Sequence, residues 1–268
     1  MTKEEQIILC EQCEGTRYLP GGQRCPCQEE DDEAADRRAK MQVLRPHLPE
    51  VPRAMRHLPI DKRGFPVPWF VEWVNGEPEF RATSRAKLYR AIKERLCWVC
   101  GKELWREMVF VIGPMCSINK ISSEAPSHRE CAQFSARGCP FLSRPHMIRR
   151  EDGTEGFNDK YAGIMVDRNP GVTLLWFTYR YEVVRVPAIP KADAREGILL
   201  QLGRAFKTEW YCKGRPATRE EVMNSIETGL PLLREANRKQ GIPDELGDAE
   251  IGRQLAEAMK LVPREVQA

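Results

Sequence analysis

The sequence predicts an α+β fold: a cysteine-rich unit joined to a small, mostly antiparallel sheet and a set of C-terminal helices. Three observations carry this. Short apolar runs bounded by Asn-Gly, Gly-Pro and Asn-Pro-Gly turns recur between residues 67 and 211, the pattern of strands. Beyond Thr218 the apolar residues change to helical spacing. Within the strand-rich part Cys97-x-x-Cys100-Gly101 is answered, after 27 intervening residues, by His128-x-x-Cys131.

The chain has 268 residues, enough to bury a sizeable core, and its 41% hydrophobic and 30% charged residues are those of an ordinary globular protein. Its net charge of +3 demands no anionic partner, but the distribution is uneven. Residues 1–45 hold ten acidic and seven basic side chains, leaving 35 basic against 29 acidic in the body. We divide the chain into a four-cysteine segment with an acidic linker (1–45), a zinc-binding domain (46–152) and an α+β region (153–268). No apolar run approaches the roughly 20 residues that span a bilayer, and Met1–Ile8 is too polar for a signal peptide, so a cytoplasmic location is expected. In that reducing compartment the ten cysteines read as metal ligands rather than disulfides.

Cys10, Cys13, Cys25 and Cys27 crowd into eighteen residues around Pro20-Gly21-Gly22. Four thiolates on a loop with little apolar surface imply an all-cysteine zinc site that supplies most of the loop's folding energy. The Cys-x-x-Cys-x-Gly opening resembles one half-repeat of the DnaJ-type zinc-binding region, although Cys25-Pro26-Cys27 departs from that pattern. The alternative is a reduced tail. Glu29–Glu33 followed by Arg37, Arg38 and Lys40 suits a short helix whose charges complement its dipole. Six prolines between Pro46 and Pro68 then impose extended chain.

Val67–Val74 reads as a strand, Asn75-Gly76 as a type I′ turn, and Phe80 lies on the return strand. A helix starting near Thr83 or Ser84 carries Leu88, Ala91, Ile92 and Leu96 on one face. Arg85, Lys87, Arg90 and Lys93 occupy the others. Beside Trp69 and Trp73 these cations suit phosphates and stacked bases, or they form a solvated face over a core built from the aromatics.

The helix delivers the chain into Cys97. Gly101 supplies the permissive backbone of a tight knuckle, and Leu104–Ile112 is strand-like up to Gly113-Pro114. Ser127 and Glu130 match a capping box, which would place His128 at the first helical position and Cys131 one turn later on the same face. Cys97, Cys100, His128 and Cys131 are therefore read as the four ligands of one zinc ion, with Cys116 and Cys139 as competitors whose alternative role is packing near the site. His47 and His146, isolated beside prolines, are expected at the surface, and His57 has no nearby partner in sequence. The order helix, knuckle, hairpin, helix resembles a treble-clef zinc finger over about 45 residues. The string Cys97–Gly101, Gly113–Cys116, His128–Ala132 and Cys139–Leu142 is similar to an uncharacterised family of bacterial and phage proteins, which would place a phage-encoded chain in the host cytoplasm. That family implies no activity.

Beyond the polar stretch 153–160, Ile164–Val166 and Val172–Tyr179 suggest a hairpin around Asn169-Pro170-Gly171, and Ile198–Leu202 could pair with Phe206–Tyr211 around Gly203. Cys212 reads as a core thiol. Three helices are expected: from the Thr218/Glu221 capping box to Gly229, from Pro231 to Gly241, and through Ile251, Leu255, Ala258 and Met259.

Phosphate-binding, dinucleotide and nucleophile-elbow motifs are absent from the sequence. Four protein ligands also close a zinc ion to activated water. The chain is thus expected to be a structural-zinc module holding two Zn2+ ions and associating with nucleic acid through Arg85, Lys87, Arg90, Lys93, Arg137, Arg144, Arg149 and Arg150. One alternative is an HNH-like zinc-stabilised endonuclease, although no histidine lies between Cys100 and His128 and Asn119 is the only residue there that fits its trio. The other is a protein-interaction adaptor.

Overall fold

Val172–Thr178 (VTLLWFT) is apolar without alternation, and a strand with that composition must be covered on both faces. All seven residues are buried in the computed structural model of the chain. The structure describes residues 44–46, 48–83, 85–144, 162–164, 166, 168–190, 194 and 196–264. The proposed ligands Cys10, Cys13, Cys25 and Cys27, with His47, His146, Arg149 and Arg150, lie outside the described residues.

The first elements match their sequence signals. Strands β1 (Val71–Val74) and β2 (Glu77–Thr83) form an antiparallel ribbon, closed by Asn75 and Gly76 at φ of 51° and 77° as a type I′ turn requires. Helix α1 (Arg85–Glu94) follows, with Ala91 on its buried face. Of the aromatics in this region Trp98 is buried and stacks on Phe70, with ring centroids 4.9 Å apart, so they build core; Trp73 remains exposed.

The remaining elements are β3 (Met108–Ile112), α2 (Pro114–Asn119), β4 (Ile121–Ser122), α3 (Arg129–Gly138), α4 (Pro140–Ser143), β5 (Val172–Thr178), β6 (Tyr181–Val186), β7 (Gly197–Leu202), β8 (Lys207–Cys212), β9 (Arg215–Pro216), α5 (Arg219–Lys239) and α6 (Asp244–Met259). One sheet has the order β3-β5-β8-β9 and another β4-β7-β6, and every pairing is antiparallel. The fold is α+β.

Two strand pairings differ from expectation. β5 pairs with β3 and β8 rather than with residues 164–166, and β7 pairs with β4 and β6 rather than with β8. The reason is burial. A strand apolar on both faces gains most from the centre of a sheet with helices on either side, which a local hairpin cannot offer. On one face Leu174 and Trp176 pack with Phe110, Trp210 and the helical residues Val222, Ile226, Leu233, Ile251 and Ala258. On the other, Leu175 and Phe177 pack with Val109, Tyr211 and the small residues Ala132 and Ala136 of α3. Each such large side chain contributes roughly 1.5–3 kcal/mol by leaving water.

At the C-terminus two helices replace the expected three, because α5 runs unbroken through Gly229 and Pro231. A Cβ at Gly229 would lie 2.7 Å from Cε of Met115, so close packing against α2 selects the glycine. Pro231 and Glu227, whose carbonyl loses its helical donor, are both exposed residues, so the missing bond falls on the solvent side of the helix. The Thr218/Glu221 capping box forms in both directions. Gly241, at φ 79°, ends the helix as expected. No helix of the described residues is long and apolar enough to cross a membrane.

Candidate metal centre

After α1 the chain reverses within ten residues. Arg95 adopts the left-handed conformation (φ 53°), Leu96 bridges to Glu103, and the Leu104 N–H donates to the Arg95 carbonyl. Inside this loop the Cys97 N–H donates to Lys102 O at 2.7 Å and the Gly101 N–H to Cys97 O at 2.8 Å. Gly101 is required twice over: its φ is +70°, and a Cβ there would lie 2.6 Å from the Trp69 ring.

The second half of the site is delivered by β3. Val109 and Ser127 exchange both backbone hydrogen bonds, at 2.9 and 2.8 Å, and this bridge is all that remains of the hairpin expected between knuckle and helix. The capping box expected of Ser127 and Glu130 does not form. His128 is the N-cap, in an extended conformation, and α3 begins at Arg129. The physical reason is at the site itself: Ser127 is held by its backbone on β3, and the His128 ring turns towards the cysteines instead of capping the helix.

Cys97, Cys100, His128 and Cys131 form a buried cluster that could hold one zinc ion, their donor atoms all within 4.8 Å of one another. His128 Nδ1 is 3.4 Å from Cys100 Sγ and 4.0 Å from Cys131 Sγ. A tetrahedron built on usual zinc bond lengths has S···N edges of about 3.5 Å, so these distances suit an ion at the centre. His128 Nε2 lies 2.8 Å from the carbonyl oxygen of Glu103. A carbonyl only accepts, so the ring proton sits on Nε2 and the Nδ1 lone pair faces the sulfurs, the tautomer a metal needs. The N–H groups of Cys100 and His128 both donate to Cys97 Sγ at 3.4 Å. Three soft sulfurs and an imidazole are the donor set that favours zinc among the abundant divalent ions.

The electrostatics agree with that donor set. Burial opposes ionisation of Cys97, but hydrogen bonds from Cys100, Cys131 and His128 hold it far below the ordinary thiol range. Hydrogen bonding with Cys100 and Cys97, with burial, pushes the Cys131 thiol far up. Contact with Cys100, then Cys97, raises His128 to about 10; this favours a second ring proton, on Nδ1, that a bound cation would displace. A divalent cation at the centre would remove the like-charge penalty among the sulfurs.

Neither competitor reaches the cluster. Cys116 lies on α2, its thiol raised to about 11 by burial, and Cys139 caps the end of α3, its thiol also raised by burial. Cys212 is a buried core thiol, as expected. His57 is exposed.

Six of the basic residues proposed for nucleic acid lie among the described residues. Arg85 donates to Glu196 O at 2.7 Å, and Lys87 donates to Val71 O at 2.8 Å with burial lowering its pKa. Arg90 pairs with Glu94 and lies over the Trp69 ring. These three cations brace α1 against its surroundings, while Lys93 and Arg144 are exposed. Arg137 lies over Tyr211 and lines a groove beside the metal cluster with Pro49, Arg53, Trp105, His128 and Phe134. Trp105, 71% exposed, sets its edge against the His128 ring. The Glu103 carbonyl and Trp105 had no signal in the sequence beyond their closeness to Cys100.

No protein-family model, curated protein or solved structure matches the chain, and the resemblance to bacterial and phage proteins gains nothing from these comparisons.

Proposed function

We propose that the chain is a structural-zinc module in which one Cys3His ion pins the knuckle to the start of α3 and so holds a binding surface in shape. The observation that carries this is the Nε2 contact of His128 with the Glu103 carbonyl, which aims Nδ1 into a buried ring of three sulfurs. Four protein donors fill a tetrahedral ion and leave no position for reacting water, so the ion's work is mechanical.

The treble-clef reading is supported by where the ligands come from, two from the knuckle and two from the N-cap and first turn of α3. A second ion on Cys10, Cys13, Cys25 and Cys27 is supported by their spacing. Nucleic acid is the partner we carry forward, because the body of the chain is basic and presents exposed aromatic rings. The endonuclease alternative gains no observation: Asn119 Oδ1 accepts the Ile121 N–H at 3.0 Å and so closes the turn after α2.

Zinc content by mass spectrometry on the purified full chain tests the reading. Two ions are expected, with one lost in Cys100→Ser and the other in Cys10→Ser. A Cys100→Ser variant that keeps both would overturn the ligand set.

A further inference from the structure

Four segments distant in sequence meet at one end of the central sheet: Trp105–Glu107 behind the knuckle, Arg129 at the start of α3, the β5–β6 turn at Tyr179 and Arg180, and the link 203–207 into β8. Hydrogen bonds tie the last two together, Arg129 binds Glu107, and Arg106 lies over the Tyr179 ring. The Gly203 N–H donates to Arg180 O at 3.1 Å and the Phe206 N–H to Phe177 O at 3.0 Å. Thr178 Oγ1 lies 3.0 and 3.1 Å from the carbonyls of Arg180 and Arg204. The approach is so close that a Cβ at Gly203 would collide with the Arg180 carbonyl.

These bonds present two aromatic rings to water. Tyr179 and Phe206 stack face to face, centroids 4.3 Å apart and 11° between planes, yet remain 50% and 44% exposed. Phe206 rests edge-on against buried Phe177, which fixes the pair to the core. Arg106 lies 5.1 Å from the Tyr179 ring centroid. Arg129 and Lys207, each near Phe177, already hold Glu107 and Glu209. Arg106, Arg180 and Arg204 are exposed and have no carboxylate partner among the described residues; Glu182 is the nearby acid that stays exposed on β6.

We propose that this surface binds single-stranded nucleic acid, an unpaired base stacking on the exposed part of Phe206, which Tyr179 backs, while Arg180, Arg204 and Arg106, the last lying over Tyr179, take the phosphates. Flat exposed rings flanked by guanidinium groups match the π-face and the charge of a single strand together. In a duplex the bases are already stacked on one another. An acidic protein segment would satisfy the arginines and leave the rings uncovered. The proposal rests on the nucleic-acid reading above and moves its interface from the α1 face to this end of the sheet.

The test is fluorescence anisotropy of the zinc-loaded full chain with a labelled oligothymidylate of about 15 nucleotides, long enough for such a surface. Each variant is first shown to keep its zinc. Phe206→Ala and Phe206→Leu are both expected to weaken binding about ten-fold; leucine keeps apolar contact with Phe177, so a loss in both reports the missing ring face. Arg180→Ala with Arg204→Ala should weaken binding and reduce the slope of log affinity against log salt by about 1.4, as two lost phosphate contacts on a single strand require. If these variants bind as the parent does while Lys93→Ala weakens binding, the proposal is overturned and the nucleic-acid reading stands. Absence of binding by the parent at low salt would overturn both. Binding that polyglutamate displaces and that ignores the loss of Phe206 would assign the surface to an acidic protein chain instead.

Discussion

The knuckle and the central sheet lie side by side but cohere by different forces. Around Cys97 and Cys100 the apolar neighbours are few: Met55, Leu58, Val99, Leu104, Met108 and Phe134 surround a centre of sulfur and imidazole. Around β5 there is no polar centre, and covering by α3 on one face and α5 and α6 on the other does the work. The difference teaches that one region is built on a donor cluster whose order would depend on an ion and on protons, while the other rests on packing.

The largest separation of the two should come from chelation of the loaded protein. Zinc release is expected to remove stabilisation on the order of 10 kcal/mol from residues 97–104 and the first turn of α3. Hydrogen exchange should then become fast there and stay slow in β5 and α5; equal loss in both regions would erase the distinction. Phe177→Ala is the converse experiment. It empties a fully buried site and should cost about 3–5 kcal/mol in a thermal or denaturant melt, with zinc content unchanged. Gly229→Ala asks whether the α5–α2 contact is as tight as the sheet core: overpacking against Met115 should cost about 1–3 kcal/mol, and Met115→Ala in the same chain should recover part of it.

The smallest effect is expected at the Arg215–Glu221 pair; acid acts in the same direction on both regions and differs in the pH at which its effect begins. Protons compete with zinc for three thiolates and an imidazole, so zinc should leave as the pH falls below neutral, read by an indicator dye. At the sheet's other end the Arg215 guanidinium beside Glu221 holds that carboxyl down at about 2, aided by the Thr218 N–H. A folded pKa below the unfolded value of about 4.3 means that this pair stabilises above that range, and its contribution fades as pH falls from about 4 to 2. Hydrogen exchange at the amides of the first turn of α5 should show the fading only in that interval; a loss there beginning near neutrality would contradict it.

Signals carried by neighbours in sequence were legible. Asn75-Gly76 set the first turn, Thr218 and Glu221 capped α5, and the two spaced pairs named the metal cluster before any fold was known. Signals that depended on distant neighbours misled. Ser127 looked like a cap because its bond to Val109 lies outside the local string, and Gly229 looked like a helix stop because Met115 is more than a hundred residues away. The pairing of β5 with β3 rather than with a hairpin mate has the same origin, since a sheet's centre is chosen by what covers it.

The sequence by itself determined the α+β class, the donor set at Cys97, Cys100, His128 and Cys131, and the short-range turns and caps, because thiolate chemistry and local backbone geometry act over a few residues. Tertiary structure alone decided which strands pair, that the His128 ring is aimed by the Glu103 carbonyl, and that Tyr179 and Phe206 come together in the open. Those outcomes depend on how buried area is shared among segments far apart in the chain, and that quantity exists only once the chain has folded.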